Sequence, residues 1–300
     1  MQSVILIGGS GFLGKHLLNE LVKSNYKVYA TVNKTYIKGP GKLNIIRGGI
    51  NALNSDILKE IAPTKIFHCA RPTLPRLRKT GRVISGYIAY FNNSRLLKNI
   101  EDSGIQTDLL FASGSLAYGN STKPHYETSP INPISYSKQY IRGEKPLLKA
   151  ISSSGVNVKV LRFPWLIGNG SWFKWFYLKN IIENNSIPLF GNGNNNMSIL
   201  SVIDAARLMA LYSDNSVGSG IYNIFNPNST YQKIFIEKVK GEFKCDITDY
   251  KNIYPRLDTA TKEAFFSNIA VDTGMKKILS RYNFITLDQS LGDIGKQVIA

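Results

Sequence analysis

Apolar and polar positions switch between two periods from the first residue onward. "SVILIG" is a short continuous apolar run, the pattern of a strand buried on both faces. "FLGKHLLNELVKSN" then takes helical spacing, with Leu13, Leu17, Leu18 and Leu21 on one side. "KVYATV" and "KIFHCA" predict further strands, and "RLLKNIEDSG" predicts a helix that ends at a glycine. "TDLLFAS" predicts a strand, "SYSKQYIRGEKPLLKAISSSG" a helix, and "NVKVLRF" a strand again. This βαβα order implies a doubly wound parallel sheet with helices on both faces.

After about residue 165 the texture changes. Asn, Gly, Pro and aromatic residues dominate "PWLIGNGSWFKWFYLKNIIENNSIPLFGNGNNNM", which predicts a smaller and less regular lobe. "SILSVIDAARLMALYSD" predicts a strand and helix that return to the main sheet. The expected division is a Rossmann domain over 1–164 rejoined by 198–216, and a discontinuous α/β substrate lobe from 165–197 and 217–300. "GNGNNNM" is a turn cluster.

Composition narrows the class. The 300 residues are 43% hydrophobic and 19% charged, the balance of a globular chain with a core. No apolar run approaches the roughly 18 residues of a membrane span. "MQSVILIGGSG" lacks the basic segment and cleavage site of a signal peptide, so a cytoplasmic address is expected. Cys69 and Cys245 are far apart in sequence, which disfavours a disulfide framework or a zinc site. The formal charge of +17 favours anionic partners. No helix-turn-helix, RNP-like or zinc signature accompanies it, so nucleic acid is not the expected partner. The densest basic stretch, "RPTLPRLRKTGR", holds Arg71, Arg76, Arg78, Lys79 and Arg82. It is either a solvated loop or one that reaches a phosphate ligand.

Gly8, Gly11 and Gly14 form G-x-x-G-x-x-G between the first strand and the first helix. A dinucleotide needs this tight turn, a close backbone approach to its pyrophosphate, and a helix N-terminus aimed at the phosphates. Ser10, Phe12 and Leu13 belong to the same loop. An acidic residue normally ends the second strand to hold the ribose of NAD; here Asn33 and Lys34 stand instead. NADP is therefore favoured over NAD, with both open.

The order of "GGSGFLG", "IFHCA", "LLFASGSLAYG", "YSKQYIRGE", "LRFPWLIGNG" and "PLFGNGNNNMSILSVIDAARLM" resembles the extended short-chain dehydrogenase/reductases, of the nucleotide-sugar epimerase, dehydratase and 4-ketoreductase group. The resemblance runs nearly end to end. In that family a tyrosine is the acid or base at a sugar hydroxyl or ketone. A lysine four residues later lowers its pKa and holds the nicotinamide ribose, and a serine or threonine orients the carbonyl. By resemblance Tyr136 is the catalytic tyrosine. The lysine position falls on Tyr140, and none of the 16 tyrosines has a lysine four residues on. On a helix, Lys138 would point away from the face of Tyr136. The serine position falls on Gly114, between Ser113 and Ser115, either of which a register shift could bring in. The acid expected near the adenine falls on Gly49, and the substrate-loop arginine falls near Met197. Ala70, Arg71 and Phe163 are implied at the cofactor. Tyr118, Pro164 and Arg256 are implied at the substrate, Arg256 as a fork donor to a pyrophosphate. The resemblance also implies a homodimer.

Two functional readings follow. One is an NAD(P)-dependent enzyme on a nucleotide-linked sugar. The other is a protein that binds a dinucleotide or nucleotide sugar without turnover, because both partners of Tyr136 are changed. His16 is expected at the surface or in packing, His68 as a satisfied core histidine, and His125 as a candidate above Tyr136. Trp165, Trp172, Phe173, Trp175 and Phe176 are expected to build the core of the small lobe or to stack a base.

Overall fold

The computed structural model describes residues 1–300 apart from 34, 36, 38–42, 75, 76, 154, 229, 275 and 300. Lys34 and Arg76 therefore lie outside the described residues. In chain order the elements begin with β1 (Ser3–Ile7), α1 (Phe12–Lys23), β2 (Lys27–Val32), β3 (Asn44–Arg47), α2 (Ser55–Ile61) and β4 (Lys65–His68). They continue with α3 (Arg78–Ser103), β5 (Asp108–Gly114), α4 (Lys138–Ser153), β6 (Asn157–Phe163) and β7 (Trp165–Ile167). Next come α5 (Lys179–Asn184), β8 (Ser186–Leu189), β9 (Asn196–Met197), β10 (Ile199–Ser201), α6 (Val202–Leu211) and β11 (Gly220–Asn223). Then follow β12 (Thr230–Tyr231), α7 (Gln232–Phe243), β13 (Asp246–Asp249), α8 (Tyr250–Ile253) and α9 (Thr259–Phe265).

Seven strands form the main sheet in the order β11-β6-β5-β4-β1-β2-β3. β1 runs parallel to both β2 and β4, β2 to β3, and β4 to β5. This is the doubly wound parallel sheet that the alternating periods predict. The chain winds outward from β1 through β2 to β3, then restarts at β4 on the other side. The reversal between β1 and β4 is the topological switch point, where sheets of this kind open a crevice beyond the strand C-termini.

The chain divides into two compact units. The first comprises Met1–Ser113, Lys138–Arg162 and Ala206–Tyr222; the second comprises Gly114–Ser137, Phe163–Ala205 and Asn223–Ala300. The core of the first lies between sheet and helices, with Ile5, Ile7, Ile66, Leu96, Leu109, Leu147 and Val160 in one cluster. The core of the second is aromatic, built on Phe173, Tyr177, Phe190, Phe235 and Phe265. Trp172 and Phe176 pack against it, whereas Trp175 is 62% exposed.

Two local expectations are corrected. The strand of "SILS" does not return to the main sheet: β10 pairs in parallel with β7 in a separate two-stranded sheet. The returning strand is β11, after α6, beside β6. Helix α4 starts at Lys138, so Tyr136 is not on it. Tyr136 sits in a turn closed by Ser137 N–H donating to Ile134 O at 2.9 Å. The Ser137 hydroxyl also donates to Leu116 O at 2.8 Å. A rotation of 100° per residue therefore does not relate Tyr136 to Lys138 or to Tyr140.

Candidate active site

In the first unit the glycine loop closes on itself, with Gly11 N–H donating to Gly8 O at 2.9 Å. Gly8 takes φ +88°, and a Cβ there would stand 2.7 Å from Ala70 N. A Cβ on Gly14 would stand 2.0 Å from Gly8 O. Both positions therefore require glycine. The exit of β4 lies directly against the loop at the exit of β1, at the switch point. Gly11 caps α1 with no side-chain hydrogen bond, so no side chain competes for the N–H groups of the first turn. Ser10 is exposed, Phe12 half-buried and Leu13 buried. A cradle that any Cβ would fill, facing a helix N-terminus, fits the pyrophosphate of a dinucleotide. At the end of β2, Asn33 is exposed, and a Cβ on Gly49 would lie 3.6 Å from Asn33 Cβ.

His68 ends β4 and is buried. Its Nδ1 accepts from Ala70 N–H at 3.2 Å, so Nε2 carries the proton and donates to Asn93 Oδ1 at 2.9 Å. Asn93 Nδ2 in turn donates to Gly143 O at 2.8 Å, tying β4 to α3 and α4. Burial pushes His68 down to about 4, so it stays neutral and is no general base near pH 7. This is the satisfied core histidine that its strand position suggests.

Ser113, near the end of β5, donates its hydroxyl to Glu144 Oε2 on α4. Glu144 Oε1 accepts from Arg162 Nε at 3.1 Å and pairs with the same guanidinium through Nη2. Both charged groups are fully buried. The Ser113 proton is thus committed to a carboxylate, leaving only its oxygen lone pairs for another partner. Gly114 has ordinary extended angles, φ −138° and ψ 143°, so its backbone does not demand glycine. On α4, Tyr140 is half-buried, and the Arg71 guanidinium lies 5.4 Å from its ring centroid.

In the second unit, Tyr136 is half-buried and, like Leu116 and Trp165, packs against the buried cluster of Ile134, Ala264 and Ile269. Ser115 is buried in the short turn after β5. Tyr118 is buried, donates to Asn223 Oδ1 at 2.8 Å, and stacks on His125 with centroids 5.0 Å apart. His125 is hydrogen-bonded through Nε2 to Gly119 O at 3.0 Å. Phe163 is buried, Pro164 is half-buried, and Arg256 is exposed in the turn between α8 and α9. Met197 is buried, at the position expected near the substrate-loop arginine.

Elsewhere in the first unit, His16 is half-buried with its ring edge-on to Phe12, 6.4 Å between centroids. Both cysteines carry free thiols, and burial pushes Cys69 up to about 12. Among the described residues no three of His, Cys, Asp and Glu gather as a metal site. Among them, too, no helix is long and apolar enough to cross a membrane.

With this geometry in place, comparison with known proteins decides the family. The profile of the NAD dependent epimerase/dehydratase family matches residues 4–225. The chain belongs to this family. A curated relative, a putative UDP-glucose 4-epimerase of Methanocaldococcus jannaschii, is 26% identical over 235 residues, covering 71% of this chain and 75% of that protein. Among solved structures, TunA, an NAD dependent NDP-hexosamine 5,6-dehydratase of tunicamycin biosynthesis, superposes with a TM-score of 0.82 at 18% identity. That match covers 100% of this chain and 98% of TunA. A UDP-glucose 4-epimerase of Thermotoga maritima, solved with UDP-glucose, gives 0.77 at 17% identity, with 100% of both chains covered. At these identities the structural matches establish the fold. The extended short-chain dehydrogenase/reductase resemblance is consistent with all three.

Arg162, its pairing with Glu144, and Asn93, which links His68 to Gly143, were not singled out from the sequence. The available signal was a charge set in an apolar pattern: Arg162 within "VKVLRF" and Glu144 on the inner face of α4.

Proposed function

We propose that this chain is an NAD-dependent oxidoreductase acting on a nucleotide-linked sugar, by ketosugar reduction or epimerisation in surface-polysaccharide precursor synthesis. The observation that carries the reading is the switch point, where Ala70 closes on Gly8 and the Gly8–Gly14 loop leads into α1, whose N-cap Gly11 offers no side-chain hydrogen bond. Gly8, Ser10, Gly11, Phe12, Leu13 and Gly14 would hold the pyrophosphate, with Ala70, Arg71 and Phe163 also at the cofactor. Asn33 would meet the adenine-side ribose. NAD is taken as the cofactor: the expectation of NADP rested on the lack of an acidic residue where Asn33 and Lys34 follow the second strand, whereas the family and TunA are described as NAD dependent. When bound, NAD supplies hydride donor and acceptor chemistry. The chain's own contribution would be Tyr136, whose hydroxyl exchanges a proton with a sugar hydroxyl or ketone oxygen. Ser115 supplies a hydroxyl on the same unit, whereas Ser113 can act only as an acceptor while Glu144 holds its proton. Tyr118 and Pro164 would shape the sugar pocket, and Arg256 would take a substrate phosphate.

Assay of UDP-, GDP-, CDP- and dTDP-linked sugars and 4-ketosugars with NAD and NADH tests this reading. Turnover that disappears in Tyr136→Phe supports it, and turnover unchanged by that substitution removes Tyr136 from the role.

A second reading has its own observation. Tyr140 and Gly114 stand where the family carries its lysine and its serine or threonine, and the Ser113 proton is held by Glu144. On that reading the chain binds a dinucleotide or nucleotide sugar without turnover. Tight binding together with no turnover across the panel would select it.

The exposed face of α3 supports a homodimer. Val83, Ile84, Tyr87, Ile88, Tyr90 and Phe91 are exposed on one helix and, at 100° per residue, fall within half its circumference. The reading carries with it a cytoplasmic address, testable by cell fractionation.

A further inference from the structure

The loss of a lysine from the active-site helix raises the question of where this unit now keeps a cation for its cofactor. Among the described residues Arg71 is a candidate. Arg71 follows Ala70, the residue that closes on Gly8, so its backbone leaves β4 beside the loop that would take the pyrophosphate. Arg71 is exposed, and its guanidinium lies 5.4 Å from the centroid of the Tyr140 ring. Among the described residues the ion pairs are made by other cations, so no carboxylate cancels the Arg71 charge. The face of an aromatic ring holds a guanidinium without neutralising its charge. The N–H donors keep their capacity for an anionic ligand.

We propose that Arg71, held by Tyr140, is the cation that grips the dinucleotide pyrophosphate in the first unit. This rests on the NAD reading given above. Arg71 would be a binding residue, touching the cofactor. Tyr140 would be a positioning residue, acting on the cofactor through Arg71. Tyrosine at the lysine position is then a platform for a cation delivered from the β4 exit.

Isothermal titration of the full chain with NAD tests this without reliance on turnover. Arg71→Met is expected to raise the Kd about tenfold, the scale of a lost charged hydrogen bond, and to flatten its salt dependence. Tyr140→Leu is expected to raise it about threefold, and Tyr140→Phe, which keeps the ring, to leave it within about twofold. The double variant Arg71→Met/Tyr140→Leu should bind no more weakly than Arg71→Met alone, because Tyr140 acts through Arg71. Circular dichroism melts confirm that each variant is folded. If the parent chain binds NAD and Gly8→Ala abolishes binding, but Arg71→Met does not change the Kd, this proposal falls and the NAD reading stands. Additive effects of Arg71→Met and Tyr140→Leu would remove the platform role. If the parent chain does not bind NAD at millimolar concentration, both fall.

Discussion

Glu144 has no water to turn to if its partner is lost. It is fully buried, it accepts from Ser113, and it pairs with an equally buried Arg162. A buried ion pair adds little over an apolar pair, but breaking one strands a charge. Glu144→Gln should therefore lower unfolding free energy by about 3–5 kcal/mol, measured by urea denaturation. A loss under about 1 kcal/mol would show that Arg162 finds another acceptor. His68 is linked to pH in a calculable direction. Its folded value of about 4 lies below the usual 6.5, and burial is the main cause. The folded chain thus binds fewer protons than the unfolded chain between those values, and stability rises with pH across that window. The contribution is complete above about pH 6.5 and declines as pH falls toward 4, by about 3 kcal/mol in all. Urea melts of the parent and His68→Gln across pH 4.5–7.5 should show a shallower slope in the variant. Parallel slopes would mean that His68 takes up its proton over the same pH range in the folded and unfolded chain.

Helices α3 and α4 meet where small residues allow it. A Cβ on Gly143 would lie 2.6 Å from the Ala89 Cβ, and Asn93 donates to Gly143 O from the same helix face. Gly143→Ala should cost about 1–3 kcal/mol by overpacking, and Ala89→Gly in the same chain should recover part of it. A thermal melt of the three variants checks this, and a single variant as stable as the parent would mean that the helices part freely. At this scale the sequence was most legible where one period held for a whole element. The apolar runs of β1 and β6 and the leucine stripe of α1 placed those elements without ambiguity. The start of α4 was hidden because "NPISYS" carries no break in helical pattern strong enough to reveal a turn. Ser137 before Lys138 was the readable mark, as a residue common at helix starts. Its hydroxyl instead donates to the carbonyls of Leu116 and Ile134, a tertiary fact that no local spacing encodes. The glycine loop was readable because its backbone needs are local. The Glu144–Arg162 pair was not, because it joins a helix to a strand 18 positions away. The destination of β10 was likewise settled by its pairing with β7, which a run of three apolar or small residues cannot specify.

At the scale of the whole molecule, the outer face of α3 and the net charge oppose one another. Phe91 is 65% exposed and Tyr87 is 50% exposed, with Arg142 lying 3.9 Å over the Tyr87 ring. A contiguous exposed apolar face of this kind marks an association surface. Each chain also carries a formal +17, so two copies repel over long range. If a second copy covers α3, raising the salt concentration should strengthen the dimer, because screening removes repulsion while apolar burial remains. Light scattering after size exclusion should give a mass of two chains, with the dimer fraction rising between low and moderate salt. Phe91→Glu places a charge at the centre of the buried face and should yield a monomer whose melt is unchanged, since Phe91 contributes little to the core of its own chain. A parent chain that stays monomeric at high concentration and moderate salt would assign the face to some other use. So would a Phe91→Glu variant that remains dimeric.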